Sequence, residues 1–307
     1  GDTEADAREA YEAWANVANA VVRFEPLTMV VREQDTAIAR KMLDPKIEIV
    51  NFDLNDGWMR DIGPTFVKNE TGELAAVDWI FNGWGAQGGW ASWSFDEAIA
   101  GKIAAHEGIA RHSSKLVNEG GGIHVNGAGT VLLTETVQLG AGRNPGKTKA
   151  EVEAELHAQL GTSKAVWIKR GLTRDYEDFG TQGHIDIVAC FVNEDTVLFH
   201  DQTNPEHPDF EVSKEVKATL EAAGLKTIAL PAPNVLRDER DWVDYSYVNH
   251  YLVNGGVILC GFDDERDAEA ATILKSCYPD REVILVGARA LFARGGGIHC
   301  ITQQQPK

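Results

Sequence analysis

The sequence predicts an α/β chain built from about five strand–strand–helix–strand units of roughly 60 residues, arranged radially around one centre. Three observations carry that prediction. Short β-type runs alternate with helical segments along all 307 residues, with no Pro/Ser-rich linker or low-complexity stretch between them. The segment GGGIHV at 120–125 recurs as GGGIHC at 295–300, an offset of 175 residues between the two histidines. Finally, GTVLLTE, EDTVLFHD and GGVILCGF each read as a turn feeding an apolar strand. Radial packing of such units brings equivalent loops to one central site.

In chain order, residues 4–23 open as an amphipathic helix, with apolar residues recurring at helical spacing. Strands follow at TMVV (28–31), IEIVNF (47–52), TFVKN (65–69) and LAAVDWIF (74–81), each a short apolar or β-branched run. A second helix is expected over 95–111, then the strand TVLLTE (130–135) and a helix over 148–160. AVWI (165–168), HIDIVACFV (184–192) and TVLFHD (196–201) read as strands before a helix at 213–224. TIALP (227–231), GVILCGF (256–262), a helix at 265–277 and EVILVG (282–287) complete the series. The turns between are mostly Gly, Asn and Asp.

Composition excludes several function classes. Hydrophobic residues make up 43% and charged residues 25% of the chain, as in ordinary soluble proteins. No apolar run reaches the ~18 residues that a membrane-spanning helix needs. A net charge of −18 argues against nucleic-acid binding, which needs a basic face, and suits cationic small molecules. The N-terminus is acidic and helical in pattern, unlike a signal peptide, and lacks an initiator Met, so the front reads as processed, tagged or truncated. Cys190, Cys260, Cys277 and Cys300 are too scattered for a disulfide framework or a zinc site, which points to a reducing compartment.

Five patches combine reactive side chains with glycines or turn residues: NDGWMRDIGP (55–64), NEGGGIHVNG (118–127), GTQGHIDIVACF (180–191), DWVDYSYVNHY (241–251) and RGGGIHCITQQQP (294–306). Together they offer a nucleophile, Cys300, a proton carrier, His184, and three carboxylates, Asp61, Glu119 and Asp186. Each has a structural reading when taken alone. A lone Cys is a small core residue; Asp61 caps a turn or pairs with Arg60; Glu119 holds a strand end. His184 and Asp186, two apart, share one face of a strand and suit a metal half-site, an acid/base dyad or a structural hydrogen bond.

In combination these patches resemble the agmatine deiminase and bacterial peptidyl-arginine deiminase family, a branch of the guanidine-modifying (pentein) superfamily. The resemblance runs from about residue 21 to Pro306 and is carried by NDGWMRDIGPTFV, FNGWGAQ (81–87), NEGGGIHVNGAGTVLLTE, GHIDIVACFV, SYVNHYLVNGGVI and GGGIHCITQQQP. It implies a five-bladed, pseudo-fivefold β/α propeller (the pentein fold) and a single catalytic domain over 1–307. It also implies Cys300 as nucleophile, His184 as general acid/base, Glu119 orienting His184, and Asp61 with Asp186 holding the guanidinium. Trp58 and Trp84 are candidates for walling the substrate site. No metal and no cofactor are implied.

The implied reaction is deimination of agmatine to N-carbamoylputrescine and ammonia, a polyamine-pathway step, in a cytoplasmic enzyme that binds neither nucleic acid nor membrane. Its partner is a cationic guanidine, and homo-oligomers are compatible with the reading. Two departures stand out. Relatives carry Asp-Thr-Asp-Gly-His where this chain has Gly180-Thr181-Gln182-Gly183-His184, so Gly180 and Gln182 are the expected determinants of an altered tail preference. Relatives also begin about thirty residues earlier, with a Trp-containing entry strand, so the first blade is expected to lack it. Alternatives are a deiminase of arginine or peptidyl-arginine, an amidinotransferase, a non-enzymatic propeller, and a metallohydrolase using His124, His184, Asp186 and His299.

Overall fold

The computed structural model describes residues 4–87 and 90–307. Four of its five sheets share one topology. In each, a tight turn joins an antiparallel pair, and a helix then leads to a third strand parallel to the middle one. The first of these sheets holds β3 (Thr65–Lys68), β4 (Leu74–Ile80) and β5 (Ala110–Val117). The next three hold β6 (Ile123–Val125), β7 (Thr130–Thr134) and β8 (Lys164–Ile168); β9 (Ala189–Phe191), β10 (Thr196–Asp201) and β11 (Lys226–Pro231); and β12 (Tyr251–Val253), β13 (Gly256–Gly261) and β14 (Glu282–Gly287). The remaining sheet pairs β1 (Thr28–Val31) with β2 (Glu48–Asn51) in parallel.

Parallel neighbours need a crossover, and a helix supplies it each time. After α1 (Glu4–Val21), the crossovers are α2 (Thr36–Met42), α3 (Ile99–Glu107), α4 (Lys149–Leu160), α5 (Asp209–Ala222) and α6 (Asp267–Cys277). Local chemistry sets several boundaries. Thr148 and Glu151 form a reciprocal capping box at the start of α4, and Gly161 ends it in the left-handed conformation. The middle strands are covered on both faces, so they read as continuous apolar runs: Val131–Leu133, Val197–Phe199 and Val257–Cys260 are all essentially inaccessible.

The repeat of about five units is therefore present as five sheets, but several predicted boundaries are corrected. The helix expected over 95–111 spans only Ile99–Glu107, because Gly108 turns left-handed and the chain leaves as β5. β5 escaped notice because four of its first five residues, Ala110–Ser113, face solvent and it carries Arg, His, Ser and Lys. The strand expected at 184–192 is reduced to β9; residues 185–187 instead form a tight helical turn. His184 and Asp186 thus do not share a strand face. The three-residue strands β6 and β12 and the helix α2 also went unpredicted, being too short to show a period.

The segments leading from one sheet to the next form a closed circuit. The Gly121 amide donates to Asp61 Oδ1 at 3.0 Å, and Glu119 Oε2 lies 3.3 Å from His184 Nε2. Asn249 Nδ2 donates to the Asp186 carbonyl at 3.2 Å, and the His299 amide donates to the Asn249 carbonyl at 3.2 Å. The Arg60 amide then donates to the Cys300 carbonyl at 3.0 Å, joining the last segment to the first. Five sequence-distant segments thereby meet around one centre.

Candidate active site

Each of those five segments delivers a polar group. Asp61 lies in a short helical turn, Met59–Ile62, and Glu119 immediately precedes the turn Gly120–Gly122. His184 and Asp186 flank Ile185, Asn249 closes the turn Tyr247–Asn249, and Cys300 follows the last glycine run. The structure brings Cys300, His184, Asp186, Asp61 and Glu119 together, all buried. Gly121 makes the approach achievable. A methyl group there would stand 2.5 Å from His184 Nδ1, 2.9 Å from Asp61 Oδ1 and 3.1 Å from Asp186 Oδ2.

Cys300 Sγ lies 3.5 Å from Asp186 Oδ2 and receives a contact of 3.3 Å from Asn249 Nδ2. Burial pushes its thiol pKa well above the usual value, and the charges of Asp186 and Asp61 push the same way. His184 is also deeply buried, which by itself disfavours its charged form. Asp61, Glu119 and Asp186 together outweigh that penalty and raise its pKa to about 9. Burial raises Asp61 to about 6, opposed by His184. Glu119 is buried too, yet Arg143 and His184 hold its pKa below the ordinary range.

Two side-chain atoms of these five residues have no hydrogen-bond partner: His184 Nδ1, whose contact with Asp61 Oδ1 is 3.8 Å long, and Asp186 Oδ1. Buried groups of this kind are normally satisfied. An incoming ligand with several N–H donors would satisfy a free carboxylate oxygen. Three carboxylates (Asp61, Glu119, Asp186) here face three basic groups (Arg60, Arg143 and His184), so the site is close to balanced in charge when His184 is protonated.

Several residues in the site were missed by sequence reasoning. Arg143 Nε contacts both Glu119 oxygens at 3.0 and 2.9 Å, and its Nη2 donates to the Thr181 carbonyl at 2.7 Å. Asp175 accepts from the amides of Thr181, Gly183 and His184, so it shapes the loop that presents the histidine. Asn249 lay inside a recognised patch but was not singled out. Only folding reveals Arg143 and Asp175; a lone Arg or Asp between ordinary neighbours carries no local signal.

The remaining predicted residues divide. Trp84 Nε1 donates to Asp61 Oδ2 at 2.9 Å, and its ring stacks on Trp90 at 5.6 Å and 17°. Phe179 continues that row at 5.2 Å and reaches solvent. Trp58 is buried beside Cys300 and tilts against Trp14 at 5.7 Å. Gly180 and Gln182 hydrogen-bond to none of the five. The Gly180 carbonyl accepts from Gln87 Nε2 at 2.8 Å, and Gln182 Nε2 donates to Gln87 Oε1 at 3.2 Å. A Cβ at Gly180 would meet the Asp175 carbonyl at 2.2 Å, so this backbone has no room for a side chain at that position.

The three histidines and one carboxylate of the metal alternative do not gather as a metal-ligand set. His124 and His299 rings are 6.4 Å apart, His184 is engaged by Glu119, and no group of three or more potential metal ligands occurs among the described residues.

Comparison with known proteins agrees with this architecture. A protein provisionally named agmatine deiminase from Streptomyces avermitilis is 58% identical over 98% of this chain and 89% of its own length. An agmatine deiminase from Pseudomonas putida is 38% identical, over 97% of this chain and 88% of its own. The solved structure of Enterococcus faecalis agmatine deiminase superposes with a TM-score of 0.91 at 33% identity, covering 96% of this chain and 87% of that one. The five-sheet circuit is accordingly the pentein fold. The family described as Porphyromonas-type peptidyl-arginine deiminase matches residues 1–306, and with that match added to the shared fold, the chain belongs to that family.

Proposed function

We propose that this protein hydrolyses the guanidinium of agmatine to N-carbamoylputrescine and ammonia, with one catalytic domain spanning the chain. The observation that carries the reading is the convergence of Cys300, His184 and Glu119 with Asp61 and Asp186 around one small, buried space. A guanidinium is planar and cationic, with N–H donors that match carboxylates. Asp61 and Asp186 hold it, with Asp186 Oδ1 free to accept.

Before substrate arrives, the Cys300 thiol is protonated and His184 is charged. A bound cation offsets the field of the two aspartates on Sγ, and the thiol proton is released to solvent as substrate enters. The thiolate attacks the guanidinium carbon and gives a neutral tetrahedral adduct. His184 donates its proton to the leaving nitrogen, ammonia departs, and an S-alkylthiouronium remains. Neutral His184, held by Glu119, then takes a proton from water as the oxygen attacks the same carbon. Collapse breaks the C–S bond, the hydroxyl proton returns to sulfur, and the carbamoyl product leaves.

The pH dependence follows with a definite sign. His184 acts as an acid from its charged form, present below its raised pKa, so this requirement is progressively lost as pH rises through about 9. Asp61 and Asp186 grip the cation only when both are ionised, and burial raises both, so activity falls as pH drops below about 6. Because the thiol proton leaves on binding, kcat/KM rises with pH across the neutral range and stops rising once His184 loses its proton near 9. A profile still rising above pH 10 would contradict the assignment of His184.

The relatives named agmatine deiminase support the tail assignment. One observation favours the alternative of a guanidine bearing a carboxylate, such as arginine: the Arg240 guanidinium lies 5.3 Å over Phe179, at the outer end of the Trp84–Trp90–Phe179 row. We expect the field of a chain carrying a net charge of −18 to disfavour a substrate carboxylate, so that kcat/KM for agmatine exceeds that for arginine at least about a hundredfold, or roughly 2.7 kcal/mol. Ammonia release measured on both substrates at one pH and salt decides between them; equal values would support the alternative. All four cysteines are free thiols, and no described helix is long and apolar enough to cross a membrane. The free thiols suit a reducing compartment such as the cytoplasm, and the agmatine reading supports a role in polyamine synthesis.

A further inference from the structure

His299 lies beside the nucleophile, yet the mechanism above does not use it. Its Nδ1 is 2.7 Å from Asp186 Oδ2, the oxygen that also lies 3.5 Å from Cys300 Sγ. The other carboxylate oxygen, Oδ1, is the buried atom without a partner. The backbone of His299 is clamped from two other segments. Its amide donates to Asn249 Oδ1 at 2.9 Å, and its carbonyl accepts from Arg60 Nε at 3.3 Å. The ring is therefore held in place from outside the residue it contacts.

We propose that His299 is a positioning residue for Asp186: its neutral ring, protonated on Nδ1, donates to Oδ2 and turns Oδ1 toward the guanidinium. A neutral imidazole has one N–H, and a carboxylate oxygen at 2.7 Å requires that hydrogen between the two atoms. Burial and the nearby Arg60 charge hold the ring neutral, consistent with this tautomer. The arrangement divides the two oxygens of Asp186 between two tasks. Oδ2 is occupied by the histidine beside Cys300, and Oδ1 is reserved for substrate. A carboxylate without that fixed donor would be free to rotate, and its charged form would lose a stabilising hydrogen bond.

This inference rests on the deiminase reading and refines how that site binds its substrate. Its test compares His299→Phe, which keeps a ring but removes the donor, with His299→Asn, whose amide nitrogen can stand near the Nδ1 position. Ammonia release from agmatine is followed across pH, with folding checked by circular dichroism. In the Phe variant, KM should rise at least about tenfold, and the acid limb of kcat/KM should move upward by about one pH unit, since Asp186 loses a donor to its ionised form. The groups facing Asp186 are His184, Asp61, Arg60, His124, His299 and Cys300, and the two variants change only one of these. The Asn variant should recover most of both effects.

A Phe variant with wild-type KM and acid limb would overturn the proposal, as would an Asn variant no better than Phe. If the Phe variant does not fold, nitrogen-15 NMR of the histidine rings in the wild-type protein supplies the test. A His299 ring protonated on Nδ1 at neutral pH supports the assignment, and one protonated only on Nε2 overturns it. Wild-type protein that releases no ammonia from agmatine or arginine would defeat the deiminase reading itself, whereas an active wild type with unaffected variants defeats only the role of His299.

Discussion

Replacing Cys300 by Ala should lower ammonia release by about four orders of magnitude or more, as expected when the nucleophile of a concerted catalytic unit is removed. In the proposed mechanism every covalent step runs through Sγ, and the other thiols are poorly placed to replace it. Cys190 lies in β9 and Cys260 in β13, both buried, and burial pushes the Cys260 thiol up to about 12 and that of Cys190 higher still. Cys277 ends α6 and is only half-buried, so Cys277→Ala should keep turnover within about twofold, since surface changes away from a site are nearly neutral. Substrate binding should survive in Cys300→Ala, because the gripping carboxylates are untouched. Calorimetry with agmatine would show this. Ammonia release within tenfold of wild type in that variant would sink the covalent mechanism.

The second large effect is expected at the two aspartates. Asp61→Asn or Asp186→Asn leaves the bound cation half-paired in a buried site, a loss of about 3–5 kcal/mol, or roughly two to four orders of magnitude in kcat/KM. Asp61→Asn carries an added penalty. Its two oxygens accept from the Gly121 amide and the Trp84 indole, so an amide NH2 would face a donor on one side. The loss at Asp186 should fall on KM as well as kcat, because Oδ1 is the free acceptor. Measured Kd values for agmatine within about threefold of wild type in both variants would refute the two-carboxylate grip.

Much of the fold was legible because the middle strands are buried on both faces. Residues such as Val131–Leu133 and Val257–Cys260 must then be apolar at successive positions, and the glycine-rich turns before them recur at related offsets. The elements that stayed hidden are those whose burial is partial or whose length is below one period. β5 was missed, with only its first two residues taken into a predicted helix, because its outer face is polar, and β6 and β12 are three residues long. The turn at 185–187 was read as strand because Ile185 and Ile187 are apolar for a different reason: they face the central core.

The site divides in the same way. Reactive residue types beside glycine runs marked Cys300, His184, Asp186, Asp61 and Glu119 as candidates, and that set was determined by sequence alone. Their partners were not. Arg143 pairs with Glu119 across 24 positions, Asp175 shapes the His184 loop, and His299 reaches Asp186 across 113 positions. Gly180 and Gln182 were expected to bear on the substrate's tail, yet their hydrogen bonds go to Gln87. Chain chemistry determines which groups are able to react, because that property belongs to each side chain. Which of them share a proton or a cation depends on distances of about 3 Å between segments far apart in the chain, and only closure of the five-sheet ring sets those distances.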